Sequence, residues 1–426
     1  MSKLIARLKY SYTTYHTLIY LSIVSFLGEL SYAMLNQSAL PPYLEQIGLK
    51  AKAGVIIGVF LVVEAIFKSP MGSLGDRLGR RPLIVGGALI SCVTALGVTL
   101  IHWIWGLVAL RTLDGIAAAA IWPTMIAAVS GSVPAEKRTM AMNAMTLTYM
   151  AGISLSMLLG GLANDITGSK LASFYLVSVL FFITALVAFF LTPHRSKEEM
   201  EVLHEEKEAF KLSDILMGIK NIPDMMILAF LTFFAIGLLI PIIKYFAMDE
   251  FKLSETEFGV LVLPIALAAA VTSIFSGKLG DRWGKAKSVR LGIGIAALGM
   301  WLVTFSHQSW KLLLAAVLLG VGFVLAMPAW LAFVADISAP RIRGTIIGAL
   351  GTAQGIGAVI GTVLGSYLYT KVPFSTLGIH FSSHYTPFLI SALALTLSFG
   401  LVMVFVKEDD HRCIGSEKPA MRISLP

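Results

Sequence analysis

The chain has 426 residues, of which 57% are hydrophobic and only 14% are charged. This composition excludes an ordinary soluble protein and indicates a chain that crosses a membrane several times. The net charge of +8 could suggest a nucleic-acid partner, but the positions of the cations along the chain argue against one.

Twelve apolar runs divide the chain, each about 20 residues long, which is the length that crosses a ~30 Å hydrocarbon layer as an α-helix. They predict an all-α membrane protein with 12 transmembrane helices, at residues 17–39, 53–74, 82–102, 104–130, 138–163, 170–192, 225–247, 257–277, 288–306, 311–335, 343–370 and 385–406. Of the 33 Lys and Arg residues, 24 fall on one side of this topology, six on the other and three inside spans. This positive-inside bias predicts a multi-pass protein of the cell (inner) membrane with both termini in the cytoplasm.

A single long polar stretch separates the sixth span from the seventh. We expect residues 193–224 to form a cytoplasmic linker between an N-terminal six-helix bundle (1–192) and a C-terminal six-helix bundle (225–406). The end of the linker has apolar residues at helical spacing, which predicts a short helix on the inner membrane surface. Residues 407–426 form a cytoplasmic tail in this topology.

A basic, Gly-rich turn occurs twice in the chain, after the second span and after the eighth. The first copy, residues 72–81, reads GSLGDRLGRR, and the second begins 205 residues later as GKLGDRWGKAK. Further matches occur at the same offset: residues 121–129 match 326–334, Gly152 matches Gly357, and Gly160 matches Gly365. Three matches at one offset predict a duplicated six-helix unit, and therefore two pseudo-symmetric bundles.

The repeated turn resembles the signature loop of the major facilitator superfamily, Gly-x-Leu-x-Asp-Arg-x-Gly-Arg-Arg. The resemblance implies that Asp76 and Asp281 face the start of a helix in the opposite half and latch one conformation through the helix dipole. A turn that serves only topology is the alternative. The implied latch residues are Gly72, Asp76, Arg77, Gly79, Arg80, Arg81, Gly277, Asp281, Arg282 and Gly284.

The fifth span partly resembles the antiporter motif of the same family, Gly-x-x-x-Gly-Pro-x-x-Gly-Gly, which is typical of exporters. Gly152, Gly160 and Gly161 fit the motif, whereas Ser156 and Met157 replace its second Gly and its Pro. Small residues recur every four positions here, and again at 357, 361 and 365, which predicts close helix packing.

Ionisable residues inside the spans are candidates for function, because a charge in the bilayer is costly unless it is paired or hydrated. Glu29 lies near the middle of the first span and could bind and release a proton during transport; a substrate cation or a structural hydrogen bond are the alternatives. Arg111 and Asp114 lie three residues apart, and the segment from Arg111 to Gly115 resembles the family's Arg-x-x-x-Gly motif, which is associated with proton transfer; an ion pair along the helix that neutralises itself is the alternative. Glu64 lies four residues before Lys68, so it either joins the proton path or forms an ion pair along the helix.

Residues of two further kinds could line a substrate cavity: uncharged polar side chains and adaptable apolar ones. Contact with lipid or with neighbouring helices is the alternative for each of them. With Glu29, the predicted substrate-binding set is Tyr32, Asn36, Trp122, Met145, Tyr149 and Gln354.

The sequence is most similar to the 12-span drug:proton antiporter branch of the superfamily. That resemblance implies a monomeric secondary transporter that works by alternating access and exports hydrophobic or cationic small molecules in exchange for protons. A lipid or glycolipid flippase and a proton-coupled metabolite importer remain alternatives. We expect no enzyme activity, cofactor, metal site or nucleic-acid partner, because the sequence has neither a phosphate-binding loop nor a run of metal ligands.

Overall fold

A computed structural model describes residues 2–131, 138–191, 222–306, 308–337, 343–376 and 379–407. The predicted linker helix and the tail beyond residue 407 lie outside the described residues. The helices of the first half are α1 (Ser2–Ala33), α2 (Leu40–Gln46), α3 (Ala53–Leu78), α4 (Arg80–Leu100), α5 (Ile104–Gly131), α6 (Arg138–Thr167) and α7 (Ala172–Leu191).

The second half contains seven further helices and one hairpin. The helices are α8 (Pro223–Gly237), α9 (Ile243–Phe251), α10 (Glu255–Trp283), α11 (Lys285–Thr304), α12 (Ser309–Ile337), α13 (Arg343–Lys371) and α14 (Thr386–Phe405). The short strands β1 (Phe374–Thr376) and β2 (Ile379–Phe381) pair antiparallel between α13 and α14. Among the described residues, ten helical segments are long and apolar enough to cross a membrane, and the fold is the all-α, 12-helix arrangement that the sequence predicts.

The two repeated turns have the same backbone geometry. Gly79 and Gly284 are 205 residues apart, and each separates two helices by a single residue with φ of +88° and +100° respectively. L-residues rarely adopt this left-handed region, whereas Gly enters it at little cost. Glycine at these two positions therefore ends one helix and starts the next almost without a loop.

The first span differs from its prediction because its helix is longer and contains an irregular turn. Helix α1 continues through a π-helical turn, Met34–Ala39, into α2 and so ends at Gln46 rather than at residue 39. Pro41 and Pro42 have no N–H to donate, so the carbonyls of residues 37 and 38 lose their usual partners in the helix. In a π-turn the hydrogen bonds run from residue i to residue i−5, as from the Leu40 N–H to the Leu35 carbonyl, so the helix continues past the prolines with a shifted hydrogen-bond register.

The seventh span is also irregular, and the prediction of one continuous helix there is wrong. Helix α8 ends at Gly237, and α9 begins only at Ile243. Pro241 lies in the intervening turns, where it cannot donate an intrahelical hydrogen bond and its ring clashes with the preceding turn.

Two compact units make up the described chain. The first comprises the residues before 192 together with 247–263, and the second comprises 222–246 and the residues from 264 onward. Within the first unit α1 packs on α6 and α7, and α4 packs on α5 and α7; within the second, α8 packs on α13 and α14, and α11 packs on α12 and α14. These four pairings correspond one to one, as expected for a duplicated bundle.

Close packing at the small residues is confirmed in both units. A Cβ on Gly152 of α6 would lie 3.0 Å from the backbone of Phe26 and Leu30 on α1. On α13, a Cβ on Gly357 or Gly361 would overlap the backbone of α8, and one on Gly365 would overlap the backbone of Leu238, the residue that follows α8. Only glycine lets these helix backbones approach so closely.

Candidate functional site

Glu29 lies at the closest approach of α1 and α6. Its side chain is buried, and the Cβ position of Gly152 lies 3.3 Å from its own Cβ. The hydroxyl of Tyr149, one helical turn before Gly152, lies close enough to interact with the Glu29 carboxylate. Among the described residues, no Lys, Arg or His forms an ion pair with Glu29. The site therefore contains a buried carboxyl with a neutral partner.

Aromatic side chains extend this site toward α5. Trp122 and Tyr149 pack edge to face, with ring centroids 5.5 Å apart and an interplanar angle of 77°. Met145 is buried one turn before Tyr149 on the same face of α6. A carboxylate beside aromatic faces and a flexible thioether can bind an apolar cation, because the ring faces attract positive charge and the thioether adapts its shape.

A second carboxylate lies near Glu29. Glu64 on α3 is close enough to interact electrostatically with Glu29 and with Tyr149. Its carboxylate also forms an ion pair with Lys68 one turn along the same helix, with an N···O distance of 2.9 Å. The pairing alternative for Glu64 and Lys68 is thereby confirmed, and a place for Glu64 in the proton path stays a prediction.

Arg111 and Asp114 are the centre of a second buried network, which Glu64 also reaches electrostatically. Both side chains are 1% exposed, and they form an ion pair along α5. Ser91 of α4 donates a hydrogen bond to the other oxygen of Asp114 (2.6 Å), and its own hydroxyl is 2.6 Å from that of Tyr32. The guanidinium of Arg111 also donates to the side-chain carbonyl of Asn36.

This network is fixed to α1 at its irregular turn. Asn36 lies in the π-helical turn and donates from its amide nitrogen to the carbonyl of Tyr32 (2.9 Å). The guanidinium of Arg111 also stacks 4.3 Å above the ring centroid of Phe60 on α3. The buried charge is thus paired, hydrogen-bonded and covered by an aromatic ring, as a cation inside a membrane protein requires.

The structure divides the predicted substrate-binding set into three parts. Tyr149 interacts with Glu29, Trp122 packs on Tyr149 and Met145 lies one turn away on α6, whereas Tyr32 and Asn36 belong to the Arg111 network. Gln354 lies half-buried on α13 in the second unit. The sequence did not indicate Ser91, Thr94 or Phe60 as partners, although Ser91 and Thr94 are polar residues three apart in an otherwise apolar span.

Several implied latch side chains lie outside the described residues: Asp76, Arg77, Gly277, Asp281 and Arg282. On the first turn, a Cβ on Gly72 would lie 3.8 Å from Pro123 of α5, and the guanidinium of Arg81 lies 4.1 Å from the ring centroid of Phe189 on α7. These contacts pack the turn against its own unit.

A polar cluster in the first unit joins the end of α6 to the start of α10. The carboxylate of Asp165 accepts hydrogen bonds from the backbone N–H (2.9 Å) and the hydroxyl (2.7 Å) of Thr256. Buried Glu255 pairs with Lys170 and accepts from Asn164 (2.9 Å). Asp165 therefore caps α10 with a side chain that is distant in sequence, which no local pattern could reveal.

The duplicated helical bundles and their membrane-spanning helices are those of a membrane transporter. A model of the Major Facilitator Superfamily matches residues 21–223 and 225–420, and the chain belongs to that family. It is 27% identical to the multidrug resistance protein MdtG of Salmonella arizonae over 348 residues, which cover 79% of this chain and 84% of that protein. The Salmonella typhimurium MdtG matches to the same extent.

Solved structures share the fold at low sequence identity. The nucleoside transporter NupG has a TM-score of 0.73 and 13% identity, with 92% of this chain and 99% of that chain covered. An inward-facing bacterial homologue of the human lysosomal transporter Spinster has a TM-score of 0.72 and 15% identity, with 92% and 96% covered. These likenesses establish the fold.

Proposed function

We propose that the chain exports hydrophobic cations in exchange for protons, with Glu29 as the residue that binds both. The observation that carries the proposal is the buried carboxyl of Glu29, whose partner Tyr149 is neutral. Tyr149 in turn packs edge to face on Trp122. A carboxylate in this setting needs a positive charge, either a proton or a cation with apolar groups. The two ligands therefore compete for one place.

Exchange follows from that competition. When Glu29 is protonated, the site is neutral at this position and an incoming cation must displace the proton. When the cation leaves, Tyr149 can turn its hydroxyl to donate to the ionised carboxylate. The carboxylate then takes up a proton again. Alternating access of the two repeats would expose the site to one side of the membrane at a time.

The remaining predicted residues have supporting parts in this mechanism. Arg111 and Asp114 position α1 through Asn36, so that Glu29 keeps its register against α6. The repeated turns latch one conformation, as the family resemblance implies. The positive-inside bias supports cytoplasmic termini, and the matches to proteins named for multidrug resistance support export as the direction.

The test uses the purified full chain in proteoliposomes with a pH-sensitive dye inside. Addition of tetraphenylphosphonium should release protons from the wild type, whereas Glu29→Gln should bind the cation at least about tenfold more weakly and release none, because Gln carries no charge. Glu257→Gln is the matched control, since Glu257 is exposed and its role as a hydrogen-bond acceptor for the Ser254 N–H is kept by Gln.

The alternatives give different results in the same vesicles. Transport that ignores the proton gradient and survives Glu29→Gln contradicts the proposal. Movement of a fluorescent phospholipid between leaflets would then identify a flippase, and uptake of a metabolite with protons would identify an importer.

A further inference from the structure

Five ionisable side chains lie in the described spans of the first unit away from helix ends. They are Glu29, Glu64, Lys68, Arg111 and Asp114. Four of them form two ion pairs along their own helices, Glu64 with Lys68 and Arg111 with Asp114. Only Glu29 is left with a neutral partner, so this set of groups carries a net charge of −1 when all are ionised.

The two ion pairs differ in their exposure. Arg111 and Asp114 are each 1% exposed and so are sealed inside the unit, whereas the Lys68 side chain is 50% exposed and Glu64 is 13% exposed. The pair of Arg111 and Asp114 therefore has a structural position inside the unit, out of reach of diffusible ions. The second pair lies at a surface of the unit, where a diffusible ion could approach it.

That surface must face water rather than lipid. Lys68 lies six residues before the inner end of the predicted span 53–74, which forms most of α3 (Ala53–Leu78). Its ammonium is directed toward Glu64, nearer the centre of the helix, and not toward the end to which a lysine would extend if it were escaping from lipid. A half-exposed ammonium at this depth would be strongly disfavoured in hydrocarbon, so a water-filled space lies next to it.

Glu64 and Glu29 share one electrostatic environment. Glu64 acts electrostatically on Glu29, and both carboxylates act on Tyr149. If Lys68 were absent, the site would present two carboxylates instead of one to any ligand that enters it. The lysine therefore decides how many positive charges the site requires.

We propose that Lys68 is a tethered counter-cation that sets the charge of the transported molecule at one. It neutralises Glu64 and leaves Glu29 as the single anionic position, so the site prefers a monovalent cation and discriminates against a divalent one. The inference rests on the proposed function and adds to it the valency of the substrate and the residue that determines it. An ion pair at this spacing could instead serve only the stability of α3.

The first experiment measures equilibrium binding of two probes to the purified full chain, the monovalent tetraphenylphosphonium and the divalent methyl viologen. Lys68→Met keeps the length of the side chain and removes its charge. It should raise the affinity for methyl viologen relative to tetraphenylphosphonium by about tenfold or more, because the site gains one net negative charge at short range. Lys68→Arg keeps the charge and should bind like the wild type.

Two further variants separate charge from helix stability. The double variant Glu64→Gln with Lys68→Met restores a net charge of −1 without an ion pair, and should return the ratio of affinities to the wild-type value. The exchange of Glu64→Lys with Lys68→Glu keeps both the net charge and a pair along the helix, and should also keep that ratio. A purely structural pair would leave the ratio of affinities unchanged in every variant.

The outcomes distinguish this inference from the proposed function. If Lys68→Met leaves both affinities unchanged, or changes the affinities for both probes by the same factor, Lys68 does not determine the valency of the substrate. A selective gain for methyl viologen without proton release from the wild type upholds the role of Lys68 and contradicts proton coupling. A wild type and a Lys68→Met variant that bind neither probe refute both.

Discussion

Replacement of Asp114 by Asn should destabilise the first unit strongly, although the two side chains have nearly the same size. Asn keeps an oxygen to accept from Ser91 but removes the negative charge beside the Arg111 guanidinium, which is 1% exposed. At a separation of ~3 Å and an effective dielectric constant of ~20, the lost attraction is about 5 kcal/mol. Asn36 and the Phe60 ring still hold the cation and offset about 1 to 2 kcal/mol. The net cost is therefore about 3 to 4 kcal/mol, within the range for a broken buried ion pair.

The assay is reversible unfolding of the purified chain in mixed micelles, with Glu257→Gln as a surface control for the loss of a carboxylate. The double variant Arg111→Met with Asp114→Leu gives a second measure of the same reasoning. It removes both buried charges of this network and deprives the Asn36 carbonyl of its donor, while the Ser91 hydroxyl loses Asp114 but keeps Tyr32 as a partner, so it should cost only about 1 to 2 kcal/mol. A loss for Asp114→Asn within about 1 kcal/mol of the control, or a double variant less stable than the single one, would refute the account of the network.

Two other substitutions test the packing that surrounds the site. Gly361→Leu should prevent stable folding of the second unit, because even a Cβ there would overlap the backbone of Phe234. Gly400→Leu should be tolerated, since no atom lies within 4 Å of its Cβ position. The two variants are compared by the yield of monodisperse protein after purification, and equal yields would contradict the predicted overlap. Asp165→Ala removes both hydrogen bonds to Thr256 at the start of α10 and should cost about 1 to 2 kcal/mol. Amide hydrogen exchange should rise in the first turns of α10 in that variant, and unchanged protection of these amides would show that the cap adds no stability.

Much of the architecture could be predicted because membrane proteins restrict the choices. Runs of apolar residues gave the spans, since a helix is the simplest way to satisfy every backbone hydrogen bond in hydrocarbon. The repeat at an offset of 205 gave the two matched units, and Gly79 and Gly284 adopt the same left-handed geometry at that offset. The pairs Glu64 with Lys68 and Arg111 with Asp114 also followed from sequence, because spacings of four and three place side chains on one helix face.

The sequence did not predict the places where one helix departs from regular geometry. The π-turn at Met34–Ala39 and the break between α8 and α9 both occur at prolines, but proline is tolerated in membrane helices and does not by itself reveal which distortion follows. The prediction of a regular first span hid the position of Asn36. In the structure Asn36 contacts Arg111, and Tyr32 contacts Ser91, while a place for both in the substrate site stays a prediction.

By itself, then, the sequence determined what repeats along one chain: the number of spans, their duplication, the small residues at helix contacts and the ion pairs within a helix. Only the tertiary structure decided which faces meet. It brought Tyr149 and Trp122 to Glu29, joined Ser91 to Asp114, and placed the cap of α10 on Asp165, ninety-one residues away. Periodicity defines the apolar or polar face of a helix, but the partner of that face depends on the rotation and close approach of whole helices, which no local spacing encodes.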